Sequence, residues 1–187
     1  MFVRVYLRRD AQRVAKQRRS WIRAAQIQRV QGPADPACLV QLFDARQRRL
    51  GWGLYSPDSD IRVRMVHWGP EDPAEDWIER SIANALARRK KLGLDADAPD
   101  AETTGYREIN SEGDGLPGLT VDRYGVHRVL ALTTAGMAAL QARILAAFAG
   151  IDQVTPLVLR PEAAARREGF APGFDGPTLD SMRYLEG

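Results

Sequence analysis

Apolar and polar residues alternate along Val3-Arg4-Val5-Tyr6-Leu7, the period of two expected of a strand with one face buried. Cys38 to Phe43, Gly51 to Tyr55 and Ile61 to Val66 carry three further short runs rich in β-branched and aromatic residues. Residues 44–47 read as a connecting turn, and Ser56-Pro57-Asp58-Ser59-Asp60 is a loop of turn formers. Several short strands in so little chain predict a small β-barrel. Between the first two of them, residues 8–19 are polar and basic and read as a short helix, with Arg9, Arg13 and Lys16 at i, i+4 and i+7 on one face.

The pattern changes after Trp68. Asp72-Pro73-Ala74-Glu75 places an acid, a proline and a glutamate as a helix start would, and predicts a linking helix from about 73 to 91. Trp77, Ile78, Ile82, Ala85 and Leu86 form its apolar stripe, and Arg88-Arg89-Lys90-Lys91 closes it with cations that suit the helix dipole. Residues 94–104, acidic and interrupted by proline, predict a loop. Strands follow at 105–110, 119–124 and 126–132, the last two a hairpin about Gly125. A helix over 137–149 shows Leu140, Ile144 and Phe148 on one side, a strand runs over 154–159, residues 162–167 make a helical turn, and 178–185 is at best a terminal strand. The reading is an α+β chain: a small barrel over 1–70, then an α+β domain over 71–187 that opens with the linking helix.

Composition sharpens this. With 44 % hydrophobic and 27 % charged residues in 187, the chain has enough apolar material for packed cores, which excludes disorder throughout. The net charge of +3 conceals an asymmetry: residues 1–68 hold 14 Lys and Arg against 5 Asp and Glu, and the remainder holds 13 against 19. The first part therefore carries +9 and the second −6. Arginine outnumbers lysine 24 to 3, which fits a GC-rich genome, but that bias does not explain why acids are scarce before Trp68. A basic module of this kind attracts polyanions, nucleic acid first among them. No run approaches the ~20 apolar residues of a membrane span, and Met1-Phe2-Val3-Arg4 lacks a signal-peptide core, so a cytoplasmic protein with no membrane partner is expected. One cysteine and two histidines leave no disulfide and no zinc or haem constellation.

Candidate chemistry is sparse. In Ser111-Glu112-Gly113-Asp114-Gly115-Leu116-Pro117-Gly118, three glycines permit positive φ and Pro117 fixes its own, so the backbone should form a defined tight loop. Glu112 and Asp114 could serve as an acid–base pair, but turn acids more often satisfy backbone amides or pair with an arginine, and no nucleophile or metal partner accompanies them. Gly51-Trp52-Gly53 lacks the third glycine and the helix of a phosphate loop, which favours strand packing. Cys38 lies in an apolar strand and reads as core, and His127 as a surface or cross-strand residue. Trp21, Trp52 and Tyr55 could stack on bases, although Trp52 and Tyr55 fall on opposite faces of one strand and at least one of them must be core.

Four strings follow one another in a telling order: Arg18-Arg19-Ser20-Trp21-Ile22; Gly51-Trp52-Gly53-Leu54-Tyr55-Ser56-Pro57-Asp58-Ser59-Asp60-Ile61-Arg62-Val63-Arg64; Glu112-Gly113-Asp114-Gly115-Leu116-Pro117-Gly118-Leu119-Thr120-Val121-Asp122-Arg123-Tyr124-Gly125; and Arg166-Arg167-Glu168-Gly169. In this order they resemble the N-terminal half of the bacterial class I S-adenosylmethionine-dependent rRNA large-subunit (cytosine-C5) methyltransferases, over nearly the whole chain. That family has His-Pro before the tryptophan, where this chain has Arg19-Ser20. The resemblance implies a PUA domain over the first ~70 residues, a pseudo-barrel that binds structured RNA, then a central α+β domain; the family continues into a Rossmann-like domain that binds the methyl donor.

Nothing after Glu168-Gly169 offers a donor-binding strand and glycine loop, an acidic ribose ligand or the nucleophilic cysteine, and Cys38 does not match that cysteine. The expectation is a chain without a Rossmann methyltransferase domain, with no catalytic residue, no metal and no cofactor of its own, S-adenosylmethionine being expected only with a further C-terminal domain. The ending Tyr184-Leu185-Glu186-Gly187 reads as a truncation. What the resemblance leaves is substrate recognition: Arg9, Arg13, Lys16, Arg18, Arg19, Trp21, Arg23, Arg62 and Arg64 as contacts to structured RNA, rRNA in particular, with Glu112, Asp114, Gly115, Pro117 and Gly118 as a family loop. Two competing readings are a stand-alone PUA-like adaptor for RNA or protein, and an independent enzyme using Glu112 and Asp114.

Overall fold

Alternating patterns in the first 68 residues assemble into one mixed sheet. The computed structural model describes residues 3–33, 39–98, 102–152, 154 and 156–176. Its first part contains β1 (Val3–Leu7), α1 (Gln12–Lys16), β2 (Trp21–Arg23), β3 (Ile27–Gln31), β4 (Leu39–Phe43), β5 (Arg49–Tyr55) and β6 (Ile61–Trp68). The strands run in the order β2-β6-β5-β4-β1-β3, antiparallel except for the parallel pair β1–β4. A flat sheet of that width would hold its edges roughly 24 Å apart. Only the 3₁₀ turn Ala24–Gln26 joins edge strand β2 to edge strand β3, and so short a link reaches about 14 Å. The sheet must therefore curl into a barrel-like form, closing over Val5, Leu7, Ile22, Val40, Leu42 and Val63, all of them fully buried.

Two strands here escape the hydrophobic pattern. β2 buries only Ile22, and β3 buries no side chain fully; it is held by its ladder to β1 instead. The helix expected over 8–19 is much shorter, a 3₁₀ turn at Arg9–Ala11 followed by α1. Its end is set by Arg18, whose φ of +46° is left-handed and throws Arg19 out of the helical path. The glycines at 51 and 53 are packing residues: a Cβ on Gly53 would lie 2.4 Å from Cγ1 of Val63, and one on Gly51 2.3 Å from the His67 carbonyl. Trp52 and Tyr55 are both core, which removes them as base-stacking candidates.

The second part contains α2 (Trp77–Lys91), β7 (Gly105–Asn110), β8 (Leu119–Tyr124), β9 (His127–Leu132), α3 (Ala135–Ala139), α4 (Gln141–Ala149), β10 (Pro156–Arg160), α5 (Glu162–Glu168) and β11 (Gly173–Asp175). Its sheet has the order β11-β10-β9-β8-β7, and the one parallel pair, β9–β10, is bridged by α3 and α4 as a crossover requires. Ile78, Ile82 and Ala85 of α2 join Ile144 and Phe148 of α4 over Val121, Leu130 and Leu132. The α2 helix begins at Trp77, later than the proline motif implies, because Asp72 is spent on Arg49 at 2.7 Å and Asp76 takes the cap position. The helix expected over 137–149 is two helices: Thr134 caps α3 by accepting from the Met137 amide, and the chain breaks at Leu140. Among the described residues no helix is long and apolar enough to cross a membrane. Cys38 and the strand suggested for 178–185 lie outside the described residues.

The two sheets share a packed seam. Leu54 of β5 belongs to the core of the second sheet, where it lies so close to Gly136 that a Cβ there would sit 2.9 Å from its own.

Candidate nucleic-acid interface

From the end of β1 through β2 the chain carries a strap of cations. Arg9, Arg13, Lys16, Arg18, Arg19 and Arg23 are all exposed. Among the described residues Arg9, Arg13, Lys16 and Arg18 make no ion pair, Arg19 donates to Gln17 at 2.8 Å, and Arg23 pairs with Asp60. Uncompensated guanidinium and ammonium groups on one segment are what phosphate contacts require. Arg62 is half-buried in β6. Arg64, expected to face RNA with it, instead points inward: its side chain is 9 % exposed and donates to both oxygens of Glu168, at 2.8 and 3.1 Å, as well as to the Ile61 carbonyl. An arginine so committed has no free edge for a phosphate, so the role expected for Arg64 passes to holding α5 against β6.

The glycine-rich loop faces the same seam. Ser111–Asp114 form a 3₁₀ turn that Ser111 enters at φ +47° and Gly115 closes at +74°, while Gly118 stands at +95°; Gly113 does not use its freedom. Glu112 accepts from the indole N–H of Trp21 at 2.7 Å and from the Ser111 hydroxyl at 2.6 Å, and that hydroxyl oxygen accepts from the Gly118 amide. Burial pushes the Glu112 carboxyl up, but the hydrogen bonds from Ser111 and Trp21 outweigh it and hold the group below the usual carboxylate range. Asp114 turns the other way, toward α2, accepting from Arg88, twice from Arg89 and from the Asn110 amide. Pro117 accepts from Thr134 through its carbonyl. The two carboxylates thus serve different partners on opposite sides of the loop, which leaves no acid–base pair. Arg88 and Arg89 work within the fold as well as at the helix end.

Where the seam opens, it leaves a cleft of about 690 Å³ bordered by Trp21, Arg64, Glu112, Thr134, Arg167 and Glu168. Beside it runs a groove of about 490 Å³ bordered by Arg19, Ser20, Trp21, Arg23, Gln26 and Glu112. Trp21 stands on both, 45 % exposed. The role of Glu168 was invisible in sequence, since its partner lies 104 positions away; a charge on a predicted strand that needs a buried counter-ion was the only hint.

Comparison with known proteins fits this geometry. The family model described as PUA-like domain matches residues 5–68, the segment that builds the curled sheet. The first part is a PUA-like domain. It is followed by an α+β domain with its own mixed sheet. The chain is homologous to ribosomal RNA large subunit methyltransferases: it is 36 % identical over 141 residues to one from Deinococcus radiodurans, covering 75 % of this chain and 34 % of that protein. With the ribosomal RNA large subunit methyltransferase I of Serratia proteamaculans it shares 29 % over 187 residues, covering 97 % of this chain and 45 % of the relative. The chain thus spans less than half the length of these relatives. Among solved structures, a proposed SAM-dependent methyltransferase from Streptococcus mutans has the same fold over 85 % of this chain and 40 % of its own, with a TM-score of 0.68 at 16 % identity. The PUA-like domain and its α+β neighbour therefore occur together in larger proteins.

Proposed function

We propose that this chain is the RNA-recognition region of an rRNA large-subunit (cytosine-C5) methyltransferase, acting in the cytoplasm. The observation that carries the reading is the strap of Arg9, Arg13, Lys16 and Arg18, four exposed cations without ion pairs among the described residues, on a domain that matches the PUA-like family. Arg19 and Arg23 continue it toward the seam, and Arg62 flanks it. Such contacts fix the register of a folded RNA without reading its sequence.

We assign no step of methyl transfer to the described residues. Transfer to C5 of a pyrimidine needs a thiolate that adds to the ring and a donor methyl held in line with it. The loop at 111–118 does not fit S-adenosylmethionine: it leads into strand β8 and not into a helix whose N-terminus could face the donor, and Asp114 is consumed by Arg88 and Arg89. Photo-crosslinking of the chain to large-subunit rRNA fragments, followed by mapping of the linked peptides, tests the assignment. The expected adducts fall within residues 9–23; adducts confined to α4, β10 and β11 would contradict it.

A further inference from the structure

Trp21 is a large aromatic left 45 % exposed, yet it is not free to move. Its indole nitrogen is tied to Glu112 across the seam, and Glu112 is tied to Ser111, whose oxygen is anchored to the Gly118 amide. A ring pinned at its nitrogen, with open volume at both the cleft and the groove, has already lost the freedom that a stacking partner would otherwise have to remove. Of the acids bordering the cleft, Asp60 pairs with Arg23 and Glu168 with Arg64, while Asp58 forms no ion pair among the described residues. Arg167 forms none there either; its guanidinium donates to the Ala163 carbonyl at 3.1 Å. A flat apolar face beside an available guanidinium suits a base with its phosphate. The volume lies within the range of sites that enclose a small ligand.

We infer that the cleft between the two domains seats one unpaired nucleotide, its base stacked on Trp21 and its phosphate on Arg167, with Glu112 positioning the ring. The inference rests on the RNA-binding reading and names the feature of the RNA that the seam selects. A base inside a duplex has both faces covered by its neighbours, so only a bulge, loop or end can offer one to Trp21.

The test compares two hairpin RNAs of matched length and charge, one fully paired and one with a single unpaired nucleotide in the stem, by anisotropy titration. The wild-type chain is expected to bind the bulged RNA about tenfold or more tightly, since stacking on one aromatic is worth roughly that factor. Trp21→Ala should erase the preference for the bulged RNA. Trp21→Phe keeps a ring in place and guards against misfolding; it should retain part of the preference. Arg167→Ala should reduce the preference as well. Glu112→Ala should lower it, and Glu112→Gln, which still accepts from the indole, should restore it. Equal binding of the two RNAs by the wild type, or a uniform loss with Trp21→Ala, would overturn the seat while leaving RNA binding intact. Binding of neither RNA would overturn the RNA-binding reading itself, and the seat with it.

Discussion

Arg64 and Glu168 show what a single contact does for this molecule. Each is nearly buried, and their two hydrogen bonds cross from the PUA-like domain to α5 of its neighbour. Removing one member of such a pair leaves the other charge stranded away from water, typically at a cost of about 3–5 kcal/mol. Glu168→Ala should accordingly lower the unfolding free energy by about that amount in urea titrations, and Glu168→Gln by less because it still accepts from Arg64. A change below ~1 kcal/mol in the alanine variant would mean the pair is not the clamp described. The sequence places Arg64 on a strand correctly but not its direction, because the alternation Ile61-Arg62-Val63-Arg64-Met65 gives two candidate polar positions and the carboxylate that draws Arg64 inward lies in a distant helix. The sequence offers Trp21 as a candidate for stacking on bases, but its tether to Glu112 joins positions 91 residues apart and has no local signature.

Elements formed by local pattern were the legible ones. β1, β7 and β8 keep the bounds their alternation predicts, and of the stripe of α2 Ile78, Ile82 and Ala85 are buried while Trp77 and Leu86 are half-buried against the same core. Elements held by pairing were not: β3 exposes nearly all its side chains, and the short α1 ends on a left-handed arginine that no propensity anticipates. The junction of α2 with the loop at 111–118 is electrostatic and titrates. Burial pushes the Asp114 carboxyl up, but hydrogen bonds from Arg89, the Asn110 amide and Arg88 pull it further down, so its pKa lies below that of an unfolded chain, about 3.8. Its contribution to stability is therefore complete above that value and is lost as the pH falls through the lower, folded one. Unfolding free energy should hold steady from pH 7 to about 5 and decline on the acid side, and Asp114→Asn should flatten that decline while lowering the plateau. An acid limb of unchanged slope in the variant would remove Asp114 from the account.

At the scale of the whole molecule, charge divides as the folds do: +9 before residue 69 and −6 after it. The cations of the second domain are largely paired inside it, Arg88 and Arg89 with Asp114 and Arg128 with Glu108 and Asp152. The asymmetry was plain in composition, whereas the freedom of Arg9, Arg13, Lys16 and Arg18 from ion pairs among the described residues required the structure. The most direct test of the central claim is the salt dependence of binding to a structured large-subunit rRNA fragment, measured by anisotropy for the wild type and for a variant with Arg9, Arg13 and Lys16 changed to alanine. Each phosphate contact contributes somewhat less than one unit to the slope of log affinity against log salt. The account predicts a steep wild-type slope and one shallower by about two to three units in the variant. The same slope in both proteins would place the RNA elsewhere and contradict the account.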